Sequence, residues 1–354
     1  MGSKVYYLDL GRISLSPTYA YFRKLLENAG LPNLVNKGDF VAIKLHMGEF
    51  GNIRYIRPQF VSIIVDMLVE YGCKPFLTNT TTLYRGSRYD AVGHLRTAFF
   101  NGFVFSVVNA PVIIADGLRG RDEISVRIDG EELDEVPIAS LFKDVDFLLV
   151  LTHFKGHEMS GFGGAIKNLG MGCSSKRGKI LQHTVSKPRI NYEKCISCWT
   201  CLMACKYGAI QRNKKPKIDY DRCVGCGNCI VYCPVGAIDV EWFTGDRFLK
   251  RIAEAAYAVT KVVPKEKMFF INFLMDMTRV CDCMPMSGVP MLTDIGILAS
   301  SDPVAIDMAS YDLVIQMSSN KVFGGHVDPL IQLYHAEKLG LGSTKYEIIK
   351  VEAP

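Results

Sequence analysis

Eight cysteines concentrated in one short stretch constrain this chain more than any other feature. The pattern C-x2-C-x2-C-x3-C occurs twice, at Cys195, Cys198, Cys201 and Cys205 and then at Cys223, Cys226, Cys229 and Cys233. This spacing is the bacterial signature of two [4Fe-4S] clusters, in which the fourth cysteine of each run ligates the other cluster. We therefore predict two crossed ligand sets, which are Cys195, Cys198, Cys201 and Cys233 for one cluster and Cys223, Cys226, Cys229 and Cys205 for the other. A pair of zinc sites is the alternative, because zinc also binds four thiolates.

The composition is typical of a globular protein, and the cysteine pattern indicates a reducing environment. With 354 residues, 49% of them hydrophobic, the chain is long enough for two domains or for one large domain with an insertion. The net charge of +5 suits an anionic ligand but is too weak to indicate nucleic-acid binding. No signal peptide opens the sequence and no apolar run reaches the length of a membrane span. Because cluster ligation requires thiolates, we expect a cytoplasmic protein of an anaerobic organism.

Helix-like and strand-like segments alternate on both sides of the cysteine-rich stretch. The periodicity predicts helices over residues 17–29, 59–71, 90–100, 303–317 and 329–339. It predicts strands over residues 5–8, 40–45, 112–115, 145–151, 268–274, 295–299 and 346–351. We therefore predict a layered α/β domain with a mainly parallel sheet, formed by residues 1–187 and 241–354 and interrupted by a two-cluster ferredoxin-like module over residues 188–240. Two separate α/β domains are the alternative.

Basic side chains follow the apolar run 145–151, where open α/β sheets place their ligands. His153, Lys155 and His157 alternate, so an extended segment presents all three on one face. The glycines of residues 161–164 then permit close backbone approach, and a following helix start suits an anion. We therefore predict a catalytic or anion-binding group made of His153, Lys155, His157, Lys167 and Asn168.

Three cysteines outside the two runs form a second candidate metal group. Cys281 and Cys283 point the same way from an extended chain, and Cys173 is the third thiol. A histidine, from His153, His157 or His183, would complete four ligands for a third cluster or another metal. The alternative is that these cysteines are small buried hydrophobes.

Other candidates for contacts to a cofactor or an anionic substrate are His46, Arg85, Arg88 and His183. No glycine fingerprint for a dinucleotide has the required spacing and context. A flavin site stays open, since flavin sites often lack a short motif.

Several longer motifs make the chain similar to a known family. They are Lys44-Leu45-His46-Met47-Gly48-Glu49, residues 82–88, residues 155–179, Asp294-Ile295-Gly296 and residues 301–307. With these, the chain resembles domain-of-unknown-function family 362, in the subgroup that carries an inserted two-cluster ferredoxin. The resemblance implies an iron–sulfur protein of bacteria or archaea whose reaction is not securely assigned. Asn79 and Thr81 depart from the family pattern, where an acidic residue and an asparagine are expected.

Two classes of function fit these observations. The first is an oxidoreductase, in which low-potential electrons pass from the two clusters to a site in the α/β domain. The second is a non-enzymatic electron carrier or assembly subunit that docks on a larger redox enzyme. Arg212, Lys214, Lys215 and Lys217 form a basic loop that is interpreted first as a solvated connecting loop, and docking of an acidic redox partner is the alternative.

Overall fold

The computed structural model describes residues 2–12, 18–84, 86–183, 187–223, 225, 227–240, 245–318, 322–323 and 327–351. Its strands are β1 (Ser3–Asp9), β2 (Phe40–Lys44), β3 (Lys74–Asn79), β4 (Val112–Ile114), β5 (Glu123–Arg127), β6 (Glu135–Ala139), β7 (Phe147–His153), β8 (Lys155–His157), β9 (Gly161–Gly163), β10 (Arg189–Ile190), β11 (Ile210–Gln211), β12 (Lys217–Ile218), β13 (Ile238–Asp239), β14 (Met268–Leu274), β15 (Gly296–Ser300) and β16 (Tyr346–Lys350). Its α-helices are α1 (Thr18–Asn28), α2 (Pro58–Glu70), α3 (Ala91–Phe100), α4 (Phe105–Val108), α5 (Ala165–Cys173), α6 (Lys176–His183), α7 (Thr200–Ala204), α8 (Asn228–Tyr232), α9 (Asp246–Thr260), α10 (Pro303–Met317) and α11 (Ile331–Lys338).

One eight-stranded sheet organises the fold, in the order β16-β1-β15-β14-β7-β2-β3-β4. The strands from β14 to β4 are parallel, whereas β15 pairs antiparallel with both of its neighbours. The predicted α/β class with a mainly parallel sheet is therefore confirmed. The reversal at β15 is not encoded in its short apolar run, because the pattern of a buried strand does not specify its direction.

Helices cover both faces of this sheet, which is why its central strands are continuously apolar. In β7, Phe147, Leu149 and Leu151 belong to one hydrophobic core, which also contains side chains of α1 and α2. Leu148 and Val150 face the other way, into a core shared with α5, α9, α10 and α11. Alternate residues of a strand point to opposite faces, so a single apolar run supplies both cores.

The cysteine-rich segment has a small core of its own. The pairs β10–β13 and β11–β12 enclose Cys201, Cys229 and Cys233 together with Ile210 and Ile218. Its two halves repeat at a constant offset of 28 residues, so that α7 corresponds to α8 and the left-handed Trp199 to the left-handed Gly227. The predicted module boundaries at residues 187 and 240 border segments outside the described residues and stay predictions.

The cysteine-rich segment contacts the large domain through α8, which packs against α6. At Gly227 a Cβ atom would lie 2.6 Å from the side chain of Ile180, so this contact and the positive φ of +73° both require glycine. Arg121 donates from Nη2 to the carbonyl of Val231 at 3.1 Å and also stacks on the Tyr232 ring. Over the described residues, none of the helices has both the length and the apolar composition to cross a bilayer.

Candidate functional site

A cavity of about 870 Å³ opens at the carboxyl edge of the large sheet. Three adjacent parallel strands, β7, β2 and β3, end there and deliver His153, Lys44 and Asn79 to its wall. Ligands of open α/β folds bind at this edge because loops and helix starts converge there. Of the group predicted from sequence, His153, Lys155, His157, Lys167 and Asn168 all line this cavity.

The cavity wall is strongly basic. Lys44, Lys155, Lys167 and Lys179 all line it. Burial lowers the pKa of Lys44 to about 7 and that of Lys167 to about 7, and neighbouring lysines lower both further. Burial likewise lowers the pKa of Lys179 to about 8, although Asp116 opposes the shift. These three ammonium groups therefore gain and lose protons near neutral pH.

Hydrogen bonds fix the orientation of the buried lysines. Lys44 Nζ donates to Asn168 Oδ1, and the Asn168 amide is itself held because its Nδ2 donates to the carbonyl of Leu151 at 2.8 Å. On the opposite side, Lys179 Nζ donates to Thr80 Oγ1 at 2.5 Å. A Cβ atom at Gly172 would lie 2.5 Å from Lys44 Cε, so glycine in α5 makes room for this lysine.

A buried carboxylate, Asp282, connects two of the predicted residues. It accepts from His153 Nδ1 at 2.8 Å and lies 3.2 Å from Lys155 Nζ. Burial raises the pKa of Asp282, but His153 and Lys155 outweigh it and the net shift is downward. His153 Nε2 faces the carbonyl of Met275 at 2.9 Å. Because both ring nitrogens of His153 contact protein oxygens, this side chain positions Asp282 rather than acting on a ligand.

Three further histidines in the wall have pKa values lowered by burial and by nearby lysines or arginine: His46, His157 and His183. For His183 the pKa falls to about 3. In His46, Nδ1 accepts from the Gly48 amide at 3.1 Å, and in His157 it accepts from the Met159 amide at 3.2 Å. In both neutral rings the proton is therefore on Nε2, which is a donor.

Arg88 and Glu49 form a buried ion pair in the wall next to the lysines. Arg88 Nε donates to Glu49 Oε2 at 3.1 Å, and both side chains are at least 95% buried. Glu49 also accepts from the Tyr84 hydroxyl at 2.8 Å and from the Ser87 amide at 3.2 Å. Arg88 is thus engaged by protein groups, whereas Arg85, predicted beside it, lies outside the described residues.

The three cysteines of the predicted third centre are placed differently from one another. Cys281 and Cys283 are joined in a disulfide that lines the cavity. Cys173 is buried in the hydrophobic core at the end of α5, where burial raises its pKa to about 12 against the opposing effect of Lys44 and Lys179. Metal ligation by the first two would require the disulfide to be reduced, so the third centre stays a prediction.

The two cysteine runs surround two small cavities, and each cavity draws cysteines from both runs. One is lined by Cys195, Cys198, Cys201 and Cys233. The other is lined by Cys205, Cys223 and Cys229, while Cys226 lies outside the described residues. The backbone amides of Ala209 and Ala237 donate to the sulfurs of Cys205 and Cys233 at 3.2 and 3.1 Å. Among the side chains that the structure describes, no three His, Cys, Asp or Glu residues converge on a single-ion site.

Sequence reasoning missed three side chains of the candidate site: Lys44, Lys179 and Asp282. Lys44 ends the apolar run of β2, so the argument that selected His153 at the end of β7 would have found it. Lys179 lies on α6, whose polar sequence carries no amphipathic pattern. Asp282 was visible only as the residue between two cysteines.

Comparisons with known proteins give two solved structures of limited similarity and one family match. A lactate racemase apoprotein from Thermoanaerobacterium thermosaccharolyticum superposes with a TM-score of 0.46 at 13% identity over 89% of this chain. A structural-genomics protein from Thermotoga maritima gives 0.44 at 13% identity over 84%. The chain spans 58% of the length of each of these two proteins. No curated protein matches its sequence. The model of the family described as "Domain of unknown function (DUF362)" matches residues 41–312, and the chain belongs to that family.

Proposed function

We propose that this protein is an iron–sulfur oxidoreductase that delivers low-potential electrons to an anionic substrate in the basic cavity. The observation that carries the proposal is the contact between α8 and α6. Helix α8 contains Cys229 of the second run, and α6 contributes Lys179 and His183 to the cavity wall. The cysteine-rich segment is thereby attached to the helix that borders the substrate site.

The donor set supports two four-iron clusters. The described cysteines around each small cavity come from both runs, as crossed ligation requires. Each cluster is held at separate iron atoms, so its cysteines need not converge on one point as the ligands of a zinc ion do. When bound, the clusters supply electrons singly at low potential, and amide donors to cysteine sulfur, such as Ala209 and Ala237, tune that potential.

The charge of the cavity supports an anionic substrate. Its acidic lining residues are Glu49, which is paired with Arg88, and Glu158, against four lysines. Ammonium groups hold carboxylate or phosphate oxygens, and those with pKa values near 7 also release a proton from Nζ as a bound substrate is reduced. Lys44 and Lys167 are the residues placed for that transfer.

Iron content tests the cluster assignment. In protein purified and reconstituted without oxygen, we expect about eight irons per chain and broad visible absorption. Cys201→Ala and Cys229→Ala should each lose about half of the iron, because they belong to different ligand sets. Cys73→Ser, at a buried cysteine outside both runs, is the control and should lose none. Colourless protein with bound zinc would refute the proposal.

Sulfate binding, measured by calorimetry, tests the anion site. The charge of the sulfate ion is constant between pH 6 and 9, whereas Lys44, Lys167 and Lys179 lose their protons across this range. Protonated lysine is the binding form, so we expect affinity to be highest below pH 7 and to fall at least about tenfold by pH 9. Lys44→Met should weaken binding and flatten the profile, whereas Lys143→Met, at an exposed position, should match wild type. A profile that does not depend on pH would exclude these lysines as the binding groups.

An electron carrier that docks on a larger, acidic redox enzyme is the second candidate. It is favoured by the exposed side chains of Ile196 and Met203, which lie beside cysteines of the first run. Lys214 and Lys215 add exposed positive charge in the same segment. A carrier needs no anion affinity in the α/β domain, so absence of sulfate binding together with full iron content would select it.

A further inference from the structure

We propose that Cys281 and Cys283 form a redox-active pair that takes up two electrons at the wall of the cavity. The two residues are joined in a disulfide, and both line the cavity that holds the buried lysines. The other described cysteines of the large domain, Cys73 and Cys173, are buried away from that lining. Of the cysteines described in the large domain, these two are therefore the ones that a ligand in the cavity can contact. Its coupling to the clusters rests on the proposed function.

The loop that carries the pair is anchored independently of the disulfide. The backbone carbonyl of Asp282 accepts from the Glu49 amide at 3.1 Å, and its carboxylate is held by His153 and Lys155. The Met284 amide donates to the carbonyl of Cys281 at 2.9 Å. None of these contacts involves a cysteine side chain, so we expect the reduced thiols to stay adjacent and the bond to form again.

The surroundings of the pair favour thiol–disulfide chemistry. Cations stabilise thiolates, and Lys155, whose Nζ lies 3.2 Å from the carboxylate of Asp282 between the two cysteines, lines the same cavity. On reduction the sulfur–sulfur bond accepts two electrons and two protons and becomes two thiols. The electrons arrive singly from the clusters, and the protons come from the water that the cavity admits. Re-forming the disulfide passes the two electrons and two protons to the anionic substrate bound in the cavity, which is thereby reduced by two electrons, so single-electron delivery is converted into a two-electron reduction.

A reductive titration tests this inference. Cluster-loaded protein is oxidised with a mild chemical oxidant in the absence of oxygen and is then titrated with dithionite, and thiols at positions 281 and 283 are located by alkylation and peptide mass. We expect wild type to take up about four electrons per chain, of which two enter the clusters and two the pair. Cys281→Ser/Cys283→Ser should take up about two and keep its full iron content, and Cys73→Ser should behave as wild type.

The outcomes separate this inference from the proposed function. If iron is absent but oxidised protein yields alkylated Cys281 and Cys283 only after treatment with dithiothreitol, the pair is redox-active and the cluster proposal fails. If both cysteines are alkylated in the oxidised protein before any reductant is added, the inference is overturned. It is also overturned if the double variant loses iron or zinc, because the pair would then be a metal ligand. Should the double variant not fold, the alkylation pattern of wild type decides alone.

Discussion

Glu49→Ala is expected to lower the free energy of unfolding by about 3–5 kcal/mol, as measured by urea denaturation. The variant leaves the guanidinium of Arg88 buried without its carboxylate, and removing one partner of a buried ion pair costs far more than removing an exposed one. It also removes the acceptor for the Tyr84 hydroxyl and the Ser87 amide. The loop that forms this side of the cavity should loosen with it.

Two controls give this prediction its meaning. Arg127→Ala breaks an ion pair with Asp129 in which both side chains are mostly exposed, and should cause only a small fraction of that loss. Glu49→Met combined with Arg88→Met removes both buried charges and should recover much of the loss. A double variant as unstable as Glu49→Ala would show that the charge pairing is not the cause.

The same ion pair predicts how stability depends on pH. Burial raises the pKa of Glu49, but Arg88 and the hydrogen bonds from Ser87 and Tyr84 outweigh this effect. The pKa of Glu49 in the folded protein is therefore below its usual value of 4.5. A carboxylate with a lowered folded-state pKa stabilises the fold above its unfolded value of about 4.5. That contribution is lost as the pH falls through the folded-state pKa. The difference in the free energy of unfolding between wild type and Glu49→Ala should therefore become smaller at acidic pH.

The sequence predicted much of the fold because its main helices and strands carry local signals. Helix α10 matches its predicted residues, since Asp302 accepts from the amides of Val304 and Ala305 and Pro303 starts the first turn. Helix α6 was not predicted, because its Lys176, Arg177 and Lys179 have the composition of an exposed segment. They are buried because partners distant in sequence bind them. For example, Arg177 Nε lies 2.7 Å from Glu123 Oε1.

The candidate site shows the same division between local and distant information. His153, Lys155 and His157 line one cavity, as their alternation along the chain led us to expect, and their catalytic or anion-binding role stays a prediction. The contacts of His153 and Lys155 depend on Asp282, which reaches the site from a loop after β14. The lowered pKa of Lys44 depends on burial, which no local pattern reports.

Asp307 has the second large expected effect. It lies on α10 within the motif at residues 301–307 that carried the family resemblance, and its role becomes visible only in three dimensions. Its two carboxylate oxygens accept from the amides of Ala165 and Ile166 at 2.7 and 2.9 Å, and Asn272 Nδ2 also donates to it at 2.8 Å. Gly164 is the N-cap residue before α5 and has no side chain, so this distant carboxylate caps the helix instead.

Asp307→Ala is expected to destabilise the protein by about 3–4 kcal/mol, because three buried donors lose their acceptor. Asp90→Ala, which removes an ordinary N-cap that accepts from the Gly93 amide at 2.9 Å, should cost only about 1 kcal/mol. Asp307→Asn keeps the side-chain volume and one acceptor oxygen. In urea denaturation, its loss of unfolding free energy should therefore lie between those of Asp307→Ala and Asp90→Ala.

The consequence for function follows from where α5 begins. Its first turn carries Lys167 and Asn168, so a loosened helix start displaces both from the cavity wall. We expect Asp307→Ala, at a temperature where it remains folded, to weaken sulfate binding, whereas Asp90→Ala leaves it unchanged. If Asp307→Ala is clearly destabilised but binds sulfate with the affinity of wild type, the cap stabilises only the core and does not position the anion site.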